Sequence, residues 1–134
     1  AEQTALCDYG GALGIAFQLV DDALDYAADQ AALGKTVGDD FREGKITLPV
    51  LLAFARGSEE ERGFWRRVLE EGDQQDADLA TAMALMTKYD TIGETIARAR
   101  RYGEKAISAL DVFPDSLEHR ALVEVVRFCI DRAR

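Results

Sequence analysis

Apolar positions recur at intervals of three and four along most of the chain, the spacing that one helix face produces at about 100° per residue. Pro occurs only twice in 134 residues. The pattern predicts an all-α protein with one core and no linker. It places a first helix over residues 2–28, a loop over 29–43 and a short apolar helix over 47–55 with Pro49 in its first turn. Ser58-Glu59-Glu60-Glu61 reads as a capping box opening a helix that runs to residue 71. Asp76 or Asp78 is expected to cap the next helix, which ends near Tyr89. Thr91-Ile92-Gly93-Glu94 reads as a second box, opening a helix to Leu110, and Asp115 or Ser116 as the cap of the last helix. The expected inward faces carry Trp65, Val68 and Leu69; Leu79, Met83 and Met86; and Leu117, Leu122, Val125, Val126 and Cys129. Gly103 is unfavourable inside a helix, so close helix packing is the expected reason for it.

The first helix differs from the rest. Leu13, Phe17, Val20 and Leu24 form one stripe, and Ile15, Leu19 and Tyr26 add further apolar girth. Gln18, Asp21, Asp22, Asp25 and Asp29 form another stripe at spacings of three and four. No Lys or Arg occurs from Gln18 to Asp29. Carboxylates at i,i+4 repel and destabilise a helix by about 0.2–0.5 kcal/mol per pair. A solvated helix face usually mixes signs. The alternative is a site for a hard divalent cation, held by carboxylates and completed by phosphate oxygens. Spacing alone leaves both readings open.

The formal net charge of −9 argues against nucleic acid as a partner. No apolar run is long enough to span a membrane and no basic targeting segment is present, so a cytoplasmic protein is expected. Cys7 and Cys129 lack the spacing of a zinc or redox motif and are expected to be two buried free thiols. His119, the single histidine, is expected to be structural.

The acidic run continues into a recognisable pattern. Phe17-Gln18 precede a DDxxD motif at Asp21, Asp22 and Asp25. Lys35, Asp40 and Lys45 follow at five-residue steps, then Thr47-Leu48-Pro49. The whole run resembles the second aspartate-rich region of the trans-prenyltransferases, the polyprenyl (isoprenyl) diphosphate synthases. It looks most like the bacterial long-chain members, of the octaprenyl or decaprenyl type. The resemblance implies a helical bundle of the isoprenoid synthase type. Residues 1–134 would form the C-terminal portion of it, because the family's first aspartate-rich motif has no counterpart here.

The resemblance also implies chemistry. The family joins isopentenyl diphosphate to an allylic diphosphate, which ionises, is attacked by the olefin and finally loses a proton. Asp21, Asp22 and Asp25 would then hold Mg²⁺. Gln18, Lys35 and Lys45 would face diphosphate, with the two lysines as the catalytic point charges, and Asp40 would orient bound water or lysine. Asp39 is a less well spaced alternative to Asp40. Thr36 stands where the family commonly has proline after the lysine. Arg132 and Arg134 are further diphosphate candidates. With half a site, the fragment is expected to be inactive, and its exposed apolar surface to drive formation of a homo-oligomer. A non-catalytic or regulatory subunit of a heteromeric synthase is the alternative. A terpene cyclase fits less well, because its second metal motif usually carries Asn, Ser and Glu.

Overall fold

The computed structural model describes residues 1–27 and 37–132. Among the described residues there are helices and turns and no strand. The helices are α1 (Glu2–Leu24), α2 (Asp39–Arg42), α3 (Leu48–Arg56), α4 (Glu59–Trp65), α5 (Asp78–Lys88), α6 (Thr91–Ala109) and α7 (Leu117–Asp131). A π-helical turn, Arg66–Glu70, extends α4, and a 3₁₀ turn, Leu110–Val112, ends α6. The chain divides into two compact units.

The first unit comprises Ala1–Asp21 and Ile96–Arg134. Its core gathers Tyr9, Ala106, Leu110 and Val126, with Leu13, Leu122 and Ile130 packed around them. The Tyr9 hydroxyl donates to the Leu122 carbonyl at 2.8 Å, so the ring is buried without an orphaned polar tip. Gly103 has the packing role expected of it. A Cβ there would stand 3.1 Å from Ile130 and 3.2 Å from Val126, so α6 and α7 approach closely because that side chain is missing. Ser116 caps α7 by accepting from the His119 N–H at 3.1 Å.

Several inward assignments in this unit need correction. Leu117 is 79 % exposed and Val125 is also exposed, whereas Val126 and Cys129 are buried. The inward face of α7 is the one shared by Leu122, Val126 and Ile130, and Val125 lies about 100° away from it. Cys7 is exposed, because the buried stripe of α1 runs through Ala5, Tyr9 and Ala16 instead. Phe17 is half-exposed for the same reason.

The second unit is Asp22–Thr95. Its core contains Phe41, Val50, Ala53, Trp65, Val68, Ala82 and Met86. Phe41 and Phe64 both meet Trp65 edge-on, with ring centroids 6.4 and 5.2 Å away. The Ser58–Glu61 capping box is formed in both directions. Glu61 also takes a 2.8 Å bond from Lys88 and a 2.5 Å bond from the Tyr89 hydroxyl, which ties the start of α4 to the end of α5.

Two expected caps in this unit are not caps. Thr91 is fully buried, and its hydroxyl donates to the Met86 carbonyl while the Glu94 N–H bonds the Asp90 carbonyl. Asp78 is the first residue of α5, and Ala77, which precedes it, has no capping side chain. The Asp78 carboxylate instead receives both Arg67 guanidinium bonds at 3.0 Å and the Gln75 N–H at 2.8 Å.

Candidate functional site

Helix α1 ends at Leu24, earlier than its periodicity suggests, so Asp25 lies in a turn rather than on the helix. The reason is non-local. The Asp25 carbonyl accepts the Gly38 N–H at 2.8 Å, and its carboxylate accepts the Asp40 N–H at 3.0 Å. Short i→i−3 bonds from Tyr26 to Ala23 and from Ala27 to Leu24 tighten the last turn. Gly38 makes the return possible. Its φ is +82°, and a Cβ there would lie 2.5 Å from Leu79.

The turn brings together part of the expected set within the second unit. Asp22 is buried and Asp25 half-buried. Asp40 gives its N–H to Asp25, accepts the Lys45 N–H on its carbonyl at 2.8 Å, and faces the Lys45 ammonium at 3.7 Å. Lys45 also pairs with Glu43 at 3.0 Å. Glu43 first, and Asp40 after it, hold the Lys45 pKa above its ordinary value, so the ammonium keeps its charge. Asp39 turns away and pairs with Arg42 at 3.2 Å. Arg42 also donates to the Val37 carbonyl at 2.7 Å.

In the first unit, Gln18 and Asp21 are both exposed, one turn apart on α1. Arg132 lies over the Phe17 ring, its guanidinium carbon 4.4 Å from the centroid. Lys35, Asp29, Thr36 and Arg134 lie outside the described residues.

Two residues of this region escaped the sequence reading. Glu43 was invisible because its role depends on the fold of a short helix. Periodicity reads Tyr26 as apolar girth, and it is 2 % exposed in the core of the second unit, with its pKa sensitive to the acidic turn. Burial raises its pKa most, and the charges of Asp25, Asp40 and Asp22 raise it further.

Carboxylate oxygens are hard donors of the kind Mg²⁺ or Ca²⁺ accepts. Among the described residues no three His, Cys, Asp or Glu side chains converge into a cage. An ion bound here would therefore draw only part of its shell from those residues, as Mg²⁺ does when phosphates complete it. No helix among the described residues is long and apolar enough to cross a membrane.

Residues 1–86 match the model of the polyprenyl synthetase family. The chain is 41 % identical over 132 residues to an octaprenyl diphosphate synthase of Haemophilus influenzae, covering 98 % of this chain and 40 % of that one. A decaprenyl diphosphate synthase structure from Rhodobacter capsulatus superposes with a TM-score of 0.92 at 50 % identity, over 99 % of this chain and 41 % of that one. A Caulobacter crescentus polyprenyl synthase, crystallised with calcium and isoprenyl diphosphate, gives a TM-score of 0.86 at 45 % identity, over 98 % of this chain and 39 % of that one. The chain thus spans about two-fifths of the length of these relatives and has the all-α isoprenoid synthase fold in part. Taken with the motif run from Phe17 to Pro49, these likenesses place the chain in the polyprenyl synthetase family.

Proposed function

We propose that this chain carries the second aspartate-rich half of a Mg²⁺-dependent prenyltransferase site, in a protein that condenses isopentenyl diphosphate with an allylic diphosphate into a long-chain polyprenyl diphosphate. The observation that carries this reading is the anchored acidic turn. Asp25 and Asp40 are locked together by the Asp40 N–H, with the charged Lys45 3.7 Å from Asp40. The octaprenyl and decaprenyl names of similar proteins support a long-chain product. The bound calcium and isoprenyl diphosphate of the Caulobacter protein support a divalent ion with a diphosphate.

In this reading Asp21, Asp22 and Asp25 hold the metal. When bound, the ion would neutralise charge building on the departing diphosphate. Lys45 adds a fixed positive charge to the diphosphate, and Lys35 is assigned the same task on the strength of the motif. Asp40 steers Lys45 and holds the Asp25 carboxylate through its own N–H. Gln18 offers a hydrogen bond to the diphosphate. The 134-residue chain alone is proposed to bind without turning over. Its exposed Phe17, Val125 and Phe128 support self-association, and a clean monomer in sedimentation would remove that part. A cytoplasmic location follows from the same reading.

Calorimetry with a non-hydrolysable allylic diphosphate analogue tests the site. Binding that requires Mg²⁺ and is lost in Asp21→Ala and Asp25→Ala is expected. Binding that is indifferent to Mg²⁺, or to both substitutions, would overturn the assignment.

A further inference from the structure

Helix α2 is four residues long, yet it carries Asp40 and leads into Lys45. A single helical turn is not stable by itself in water, and its end N–H and C=O groups need partners from elsewhere. At its start, the Asp40 N–H goes to the Asp25 carboxylate at 3.0 Å. At its end, the Phe41 carbonyl accepts the Gly44 N–H at 3.0 Å and the Gln74 side-chain amide at 2.8 Å. The same Gln74 nitrogen donates to the Val68 carbonyl at 3.0 Å. Val68 is fully buried and lies in the π-helical turn that extends α4. Both partners are carbonyls, which only accept, so both hydrogens of the amide are used and its orientation is fixed. One side chain thus joins the end of α2 to a helical turn in the core, across 33 positions of sequence from Phe41. The segment that carries Gln74 is itself held. The Asp73 N–H bonds the Arg67 carbonyl at 3.0 Å, and the Arg67 guanidinium donates to the Asp73 carbonyl at 2.9 Å and to the Asp78 carboxylate at 3.0 Å. Leu79, the next residue, lies against Gly38, which precedes α2.

We propose that Gln74 is a positioning residue for the acidic turn: its amide caps the end of α2 against the core and so keeps Asp40 and Lys45 in place. An ion at Asp25 would draw on the same carboxylate that holds the start of α2. The hold at the other end does not depend on Asp25. The functional meaning of this cap rests on the diphosphate site proposed above. Its geometry does not.

Gln74→Met removes both donors and keeps the length of the side chain. Gln74→Glu keeps the shape and sets a carboxylate against two carbonyls. Amide hydrogen exchange in the whole chain provides the readout, with Gly44 and Lys45 as sensors and Met86, in the core of the second unit, as the reference. Ser58→Ala weakens the same unit without touching α2 and serves as the comparator. Gln74→Met should speed exchange at Gly44 and Lys45 by about three- to tenfold, the size of one net hydrogen bond. Gln74→Glu should speed it more, and Met86 should change in neither. Ser58→Ala should show no preference for Gly44 and Lys45. Equal acceleration at the sensors and at Met86 would reduce Gln74 to a stability role and overturn the inference. No effect at the sensors, or a Gln74→Glu variant no faster than Gln74→Met, would overturn it too. The same variants then enter the calorimetric test, where both Gln74 substitutions should weaken Mg²⁺-dependent analogue binding at least threefold while Ser58→Ala leaves it unchanged; unchanged affinity in the Gln74 variants would remove Gln74 from the positioning role. If the unaltered chain binds no analogue, the diphosphate reading falls, while the exchange data still decide the cap.

Discussion

The two compact units reach order by different means. The first packs helix against helix through apolar side chains and a glycine, with the Tyr9 hydroxyl bonded to a distant carbonyl. The second carries many polar side chains that reach across turns to the main chain or to another helix. Asp25, Gln74, Arg62, Asp78 and Glu61 all do so. Apolar helix packing suits a scaffold. A turn that must hold carboxylates close together against their repulsion needs directional bonds, and the second unit has them where the motif residues sit.

The comparison can be tested first at its apolar foundations, which should be of similar strength in both units. Trp65→Ala removes the ring between Phe41 and Phe64 and should cost about 3–5 kcal/mol. Leu110→Ala in the first unit should cost about 2–5 kcal/mol. Denaturant unfolding measures both, and losses below about 1 kcal/mol in either case would contradict the assigned cores.

The directional bonds come next. Gly38→Ala places a Cβ on a left-handed residue and against Leu79, so a loss of about 1–3 kcal/mol is expected. The same substitution should speed Asp40 amide exchange, because it disturbs the loop that delivers that N–H to Asp25. A neutral result would mean that the loop return does not depend on the left-handed residue.

Helix caps are smaller and occur in both units. Ser58→Ala and Ser116→Ala should each cost about 1 kcal/mol. Ser58→Ala leaves the returning bond from the residue 58 N–H to Glu61 in place, so the two losses should be alike. A loss at Ser58 well above that at Ser116 would show that the box breaks as a unit.

The last effect is that of Glu61, which is fully present at neutral pH and fades with acid. Bonds from Lys88, then from Tyr89 and the Ser58 N–H, lower its pKa to about 2 from an ordinary 4.5. A carboxyl lowered by folding contributes stability above its unfolded pKa and loses it as the pH falls through the folded value. Stability should therefore decline between about pH 4.5 and 2. Glu61→Gln should flatten that part of the curve in thermal melts, and an unchanged curve would mean that other carboxyls govern acid sensitivity.

What the sequence by itself determined is local in origin. Helix periodicity, the Ser58 box, the Ser116 cap and the close approach at Gly103 each follow from residues within one or two turns or from the absence of a single side chain. The family was legible as well, because the motif run is contiguous from Phe17 to Pro49. What only the tertiary structure decided involves partners far apart in the chain. Fifteen positions separate the Asp40 N–H from the Asp25 carboxylate that holds it at the end of α1. Asp78 gives up a capping role because Arg67 and the Gln75 N–H claim its carboxylate, and Thr91 gives up its own because burial turns its hydroxyl to Met86. Tyr26 reads as one more apolar residue, and only the fold packs it in one core with Phe41 and Val50. Periodicity records which face of a helix is buried. It holds no record of which distant donor will meet a given oxygen, and here those meetings set where the helix stops and how the acidic turn is held.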